Sequence, residues 1–155
     1  MIRVAERMTG SQVTLEISLE NVDKPALQAA AAVARVVPLE ANVVWMTRAA
    51  TFTEKAELFP GSTFVVGADT IVRIGQPRYY DPDSLSCEQA IEKITASNCR
   101  FLVFGRMLDT ELQADESPRF RGLDDLDIPG SLREISEAVS EQEYRLDISS
   151  RQLRA

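Results

Sequence analysis

Three short stretches that are apolar at almost every position constrain this chain more than anything else in it: Val43-Val44-Trp45-Met46, Thr63-Phe64-Val65-Val66 and Phe101-Leu102-Val103-Phe104. A strand with one face in water alternates apolar and polar residues. A strand without that alternation has to be covered on both faces, which is the condition of a parallel sheet. One further stretch, Val13-Thr14-Leu15-Glu16-Ile17-Ser18-Leu19, does alternate and predicts a strand with one solvated face. Helical patterns fill the intervals. Asp23 and Pro25 can open a helix through the alanine-rich interior 26–36, and Pro38 ends it. Thr51 and Glu54 have capping-box spacing ahead of a helix to about Phe59, closed by Pro60-Gly61. Cys87, Ala90, Ile91 and Ile94 share one helical face. Ser131 and Glu134 form a second capping-box pattern, with Leu132, Ile135 and Val139 as that helix's apolar face. Strands alternating with helices predict an α/β fold: a Rossmann-like parallel sheet with helices on both faces. Residues 108–130 are acidic and carry Pro118, Gly122, Pro129 and Gly130, so they read as a surface excursion with room for a short hairpin. Tyr144-Arg145-Leu146-Asp147-Ile148 reads as a last short strand.

The 155 residues fit a single domain without repeats or a linker. A chain of this length buries about 70% of its extended surface, enough for one core without staples. No apolar run approaches the roughly 20 residues of a membrane span. The charged start Met1-Ile2-Arg3-Val4-Ala5-Glu6-Arg7-Met8 does not read as a signal peptide, so a cytoplasmic location is the expectation. The net charge of −7 repels a nucleic-acid backbone, so neither nucleic acid nor membrane is an expected partner. Cys87 and Cys99 lie in apolar stretches without CxxC spacing and are expected to be buried free thiols. The chain has no histidine, which removes the usual acid–base group near neutral pH and the commonest metal ligand.

Residues at the ends of the apolar runs can carry chemistry. Phe64-Val65-Val66-Gly67-Ala68-Asp69-Thr70 ends a buried strand in glycine, with a carboxylate two residues on. Ligands of open α/β sheets bind at the carboxyl ends of the strands. Gly67 lets a ligand approach the backbone, and Asp69 can accept hydrogen bonds from ribose hydroxyls. A tight turn with Asp69 capping the next helix accounts for the same residues. In Asp147-Ile148-Ser149-Ser150-Arg151-Gln152-Leu153-Arg154, serines at a helix start and Arg154 can hold phosphate, or the serines can simply cap a solvated tail. Arg106, just past the third apolar run, points into the same crevice as Gly67 if those two strands are neighbours. Arg78-Tyr79-Tyr80 offers faces for stacking a base, or for ordinary packing.

Taken together, the pattern resembles the nucleotidyltransferase superfamily that includes nicotinate- and nicotinamide-mononucleotide adenylyltransferases. Val66-Gly67-Ala68-Asp69 looks like that family's GxD nucleotide contact. Ile148 to Arg154 looks like its ISSTxIR phosphate motif, with Arg151 in place of threonine and Leu153 in place of isoleucine. Cytidylyltransferase-like proteins of the same superfamily are closer still, at Asn21 to Pro25, Thr47 to Ala49, Phe52 to Ala56, Asp69-Thr70, Pro77 to Tyr80 and Asp147 to Ser150. The resemblance implies transfer of a nucleotidyl group from ATP or CTP to a mononucleotide or similar phosphate acceptor, with release of pyrophosphate. It implies phosphate contacts from Lys24, Arg106, Ser149, Ser150 and Arg154, nucleoside contacts from Gly67 and Asp69, and Arg78 in the same nucleotide-binding set. Mg2+ accompanies the triphosphate in such chemistry, and no cofactor is bound permanently.

One departure bears on activity. In that superfamily the first strand leads into an HxGH motif whose histidines bind ATP phosphates and stabilise the transferring group. Here Ile2 to Met8 looks like the end of the helix that follows that motif, and no residue is assigned as catalytic. The expectation is a domain without its first strand and inactive in this form; a non-catalytic nucleotide-binding or interaction module is the alternative. A truncated reading of a longer gene, a natural remnant and an artificial boundary fit equally well. The strand that the pattern lacks would be central in a sheet of order 3-2-1-4-5. The apolar face of Val13, Leu15, Ile17 and Leu19 would then be left for a second copy to cover, so a homodimer is expected.

Overall fold

The computed structural model describes residues 1–22, 25–36, 43–80, 85–108 and 119–145. In chain order these form α1 (Ile2–Thr9), β1 (Leu15–Ser18), α2 (Ala29–Val36), β2 (Val44–Thr47), α3 (Phe52–Leu58), β3 (Thr63–Gly67), α4 (Ala68–Ile74), α5 (Cys87–Ala96), β4 (Arg100–Phe104), β5 (Arg106–Leu108), β6 (Arg119–Arg121), α6 (Gly130–Glu134) and β7 (Ser136–Val139). Single 3-10 turns lie at Pro77–Tyr79 and Leu123–Asp125. The fold is α/β and Rossmann-like: β1 pairs with β2, and β3 with β4 and β4 with β7, all in parallel. The parallel sheet is split. Among the described residues no strand joins the β1–β2 pair to the β3-β4-β7 sheet.

Two of the three apolar runs become strands for the expected reason. The third forms β2, but its Trp45 and Met46 stand exposed rather than covered on both faces. In β3 and β4, Phe64, Val66, Phe101 and Val103 point to one face and pack with residues of α3, α4, α5 and α6. Val65, Leu102 and Phe104 point to the other, where Ala5, Val4 and Met8 of α1 join them with Val139 of β7. Helices therefore cover both faces, as a run without alternation requires. Cys87 and Cys99 are free and buried in the first of these layers.

Two caps hold the helices of that layer. Thr51 and Glu54 make the expected reciprocal capping box at α3, and Ser86 and Gln89 make one at α5. The third expected cap does not form. The N-cap of α6 is Pro129 without a side-chain bond, and the helix stops at Glu134. Val139 belongs not to a helical face but to β7, paired with Phe104 of β4. Three further expectations shift. The second helix begins at Ala29, with residues 25–28 irregular, while the expected cap Asp23 and the expected stop Pro38 lie outside the described residues. Tyr144 and Arg145 are not strand, and Tyr144 packs its ring edge on Phe104 at 4.9 Å. The alternating strand has no solvated face, since all four residues of β1 are half-buried. Its Glu16 takes hydrogen bonds from Lys55 of α3 and Thr47 of β2.

Tyr80 ties the turn after α4 to the core. Its hydroxyl donates to the Ile74 carbonyl at 2.7 Å, and the Cys87 thiol reaches the same oxygen at 3.6 Å. Burial first, and Cys87 second, push the Tyr80 phenol up to about 12. Folding thus favours the neutral phenol. That contribution is complete below the unfolded value of about 10 and is lost as pH rises toward the folded one. Thermal melts from pH 9 upward should show Tyr80→Phe losing less stability in alkali than the unmodified chain.

No helix among the described residues is long and apolar enough to cross a membrane.

Candidate functional site

The carboxyl ends of β3 and β4 lie side by side, with Gly67 opposite Phe104 in the parallel register. This neighbour relation was the condition for Arg106 to share a crevice with the Gly67 turn, and it is met. Gly67 leaves β3 and caps α4, so Asp69 sits in the first turn of that helix and is not itself the cap. Arg106 opens β5, one residue past Gly105. Its Nη1 donates to Asp69 Oδ2 at 2.5 Å. The two side chains are 53% and 58% exposed, so the pair is open to solvent and to ligands.

Gly67 has an ordinary extended conformation, and a Cβ added there would meet no atom within 4 Å. Neither backbone conformation nor packing demands glycine at this position. Its missing side chain leaves open space at the turn from β3 into α4.

Gly105 is the opposite case. A Cβ there would lie 2.2 Å from Phe120 Cζ and 2.7 Å from the Arg121 carbonyl oxygen. Phe120 and Arg121 belong to β6, which pairs antiparallel with β5 and holds Arg106 opposite Arg121. Glycine is thus what lets the β5–β6 ribbon fold against the end of β4. Gly105→Ala should cost about 1–3 kcal/mol by overpacking and should displace Arg106 from Asp69. Chemical denaturation would give the first effect, and loss of the Arg106–Asp69 contact in a structure of the variant the second. The sequence reading missed Gly105; only its place between two strands could have suggested it, since a glycine in a strand run marks close backbone approach.

Of the other expected site residues, Arg78 is not brought to this pair. It lies in the 3-10 turn over its neighbour Tyr79, with its guanidinium carbon 4.9 Å from the ring centroid and Nη2 3.1 Å from the phenol oxygen. Tyr80 is committed to packing rather than offered to a base. Lys24, Ser149, Ser150 and Arg154 lie outside the described residues. Among the described residues no group of three or more His, Cys, Asp or Glu side chains is placed to hold a metal ion.

A second feature was not legible beforehand. A cavity of about 670 Å³ opens between the two parts of the sheet, lined by Thr14, Leu15 and Glu16 on one side and by Thr63, Phe64 and Val65 on the other. Residues of α1 and α3 close it above and below, among them Ala5, Phe52, Lys55 and Phe59. It involves the amino-terminal half of β3, whereas Gly67 and the Asp69–Arg106 pair stand past the carboxyl end of that strand. The Lys55–Glu16 ion pair on its wall is largely shielded, at 14% and 22% exposure.

No protein-family model matches this chain, and no curated protein or solved structure matches it.

Proposed function

We propose that this chain binds a nucleotide at the carboxyl ends of β3 and β4, on a site of nucleotidyltransferase type, and that it binds without turnover. The parent reaction is the transfer of a nucleotidyl group from ATP or CTP to a phosphate-bearing acceptor. One observation carries the reading: Asp69 and Arg106, 37 residues apart, meet in the open past the neighbouring carboxyl ends of β3 and β4. Strand ends are where α/β sheets take their ligands. The carboxylate can accept from ribose hydroxyls while the guanidinium turns a fork of donors to phosphate. Magnesium, where present, would travel with the triphosphate as part of the substrate.

A structural role for the pair predicts something else. An ion pair this exposed contributes about 0–1 kcal/mol to folding. Asp69→Ala and Arg106→Ala should therefore leave the melting temperature nearly unchanged. Calorimetric titration with ATP, CTP and nicotinate mononucleotide should show at least one of them binding. Arg106→Ala should weaken that binding by about 1.5–3 kcal/mol, the scale of a charge-assisted hydrogen bond. Absence of binding for all three at millimolar concentration, or affinity indifferent to Arg106, would overturn the proposal. A non-catalytic interaction module is the competing reading, favoured by the cavity in the middle of the sheet.

A further inference from the structure

We infer that the cavity between β1 and β3 is a docking slot for one extended peptide segment, uncharged and apolar on both faces, which inserts as a parallel strand between them. The inference stands apart from the nucleotide site. It rests first on backbone accounting. In a parallel ladder, the N–H and C=O of one residue point to the same side, and successive residues point to opposite sides. Leu15 N–H donates to Val43 O and Leu19 N–H to Thr47 O, so the odd residues of β1 face β2. The groups of Glu16 then face the cavity. Arg100 N–H donates to Ser62 O, so Ser62, Phe64 and Val66 face β4, and the groups of Thr63 and Val65 face the cavity from the other side. Each wall presents a donor–acceptor row at strand spacing, and among the described residues no strand pairs with either row. Strand edges of this kind pair with an added extended chain.

Direction follows from the walls. The cavity is lined by Ser11 to Glu16 and by Gly61 to Val65, which are the lead-in and first half of each strand. The cavity thus meets the same part of each strand, its amino-terminal half, and each strand already belongs to a parallel set. Volume fits as well. A strand residue inside a layered fold occupies about 3.3 by 4.8 by 10 Å, or roughly 160 Å³. The cavity of about 670 Å³ thus accommodates about four residues.

Chemistry of the occupant follows from what lies above and below. Ala5 and Ile2 of α1 line one side, and Phe52 of α3 with Phe59 just after it the other, so consecutive side chains of the insert meet mainly apolar residues. The two ionic side chains on the cavity wall, Lys55 and Glu16, are already paired with each other. A charged side chain on the insert would have to compete with that pair, and burying it unpaired would be costly.

The test uses the 155-residue chain and a synthetic peptide with five alternating valines and isoleucines, flanked by lysine pairs for solubility and carrying a terminal fluorophore. Amide hydrogen exchange by NMR should find the Glu16, Thr63 and Val65 amides exchanging about tenfold or more faster than those of Leu15, Phe64 and Val66 in the free chain. The peptide should bind by fluorescence anisotropy and slow those three amides by a similar factor. The same peptide N-methylated at alternate residues should do neither. Val65→Pro removes a cavity-facing donor and no donor of the β3–β4 ladder, and should abolish binding; because it also trims the Val65 packing against α1, the N-methylated peptide makes the same comparison on the unaltered chain. The inference is overturned by outward amides already as slow as inward ones in the monomer, by equal binding of the N-methylated peptide, by no effect of the peptide at millimolar concentration, or by protection that grows with protein concentration alone, which would put a second copy in the slot.

Discussion

Phe101→Ala should remove a large part of the stability of this domain. Phe101 is fully buried in β4. Its ring meets Phe52 of α3 at 5.5 Å between centroids and Phe64 of β3 at 5.9 Å, and Phe52 and Phe64 meet each other at 5.4 Å. The three rings join a helix to two neighbouring strands in a single contact, two of the pairings being edge-on. Truncation loses the transfer free energy of the ring and leaves a hole that rigid neighbours cannot close, about 3–5 kcal/mol in all. Domains of ordinary size hold only about 5–15 kcal/mol. Urea denaturation should place the midpoint of Phe101→Ala far below that of the unmodified chain with a similar slope. Phe52→Leu keeps most of the volume and should cost less than half as much. Equal costs for the two would mean that the aromatic cluster is not the centre of the core.

The elements that could be read from the sequence are those whose burial is two-sided or whose caps are local. The stretches 63–66 and 101–104 announce themselves because a strand between two helical layers has no polar positions. Thr51 and Glu54 announce α3 because both partners of the cap lie within three residues. The misreading of Ser131 to Val139 has an equally physical cause. Leu132, Ile135 and Val139 fit helical spacing, and Ser136-Glu137-Ala138 has none of the β-branched residues that mark a strand. What makes β7 a strand is the bare edge of β4, which supplies a ladder to any segment laid against it. That information is not in the segment itself. The candidate site divides the same way. Gly67, Asp69 and Arg106 were legible because they sit where buried strands end, and strand ends converge in a parallel sheet. The Lys55–Glu16 pair joins residues 39 apart on a strand that looked half solvated, and no local pattern carries such a pairing. The tight fit of Gly105 depends on Phe120 in a ribbon that the sequence marks only as an acidic excursion.

The largest rate effect expected of this protein is an absence: pyrophosphate release from ATP or CTP, with nicotinate mononucleotide as acceptor, should not rise above background. In nucleotidyl transfer negative charge builds on the oxygens around the transferring phosphorus, and the protein's share of catalysis is positioning plus fixed donors aimed at that charge. Under the proposed reading, the described residue offered to this task at the ends of β3 and β4 is Arg106, and it is tied to Asp69. None of the 155 residues is a histidine, so no imidazole of this chain can stabilise the transferring group or move a proton near neutral pH. Loss of one such stabiliser costs about 10²–10³ in rate, so lack of two corresponds to about 10⁴–10⁶. At 1.36 kcal/mol per factor of ten this is roughly 5.5–8 kcal/mol of barrier, well beyond what one exposed arginine supplies. The proposed reading therefore separates binding from turnover. Nucleotide affinity that depends on Arg106, with a flat pyrophosphate trace in a coupled phosphate assay, is the expected pair of results. Steady turnover by this chain that disappears in Asp69→Ala while the fold persists would show that the strand-end crevice is a working active site with stabilisers other than those named.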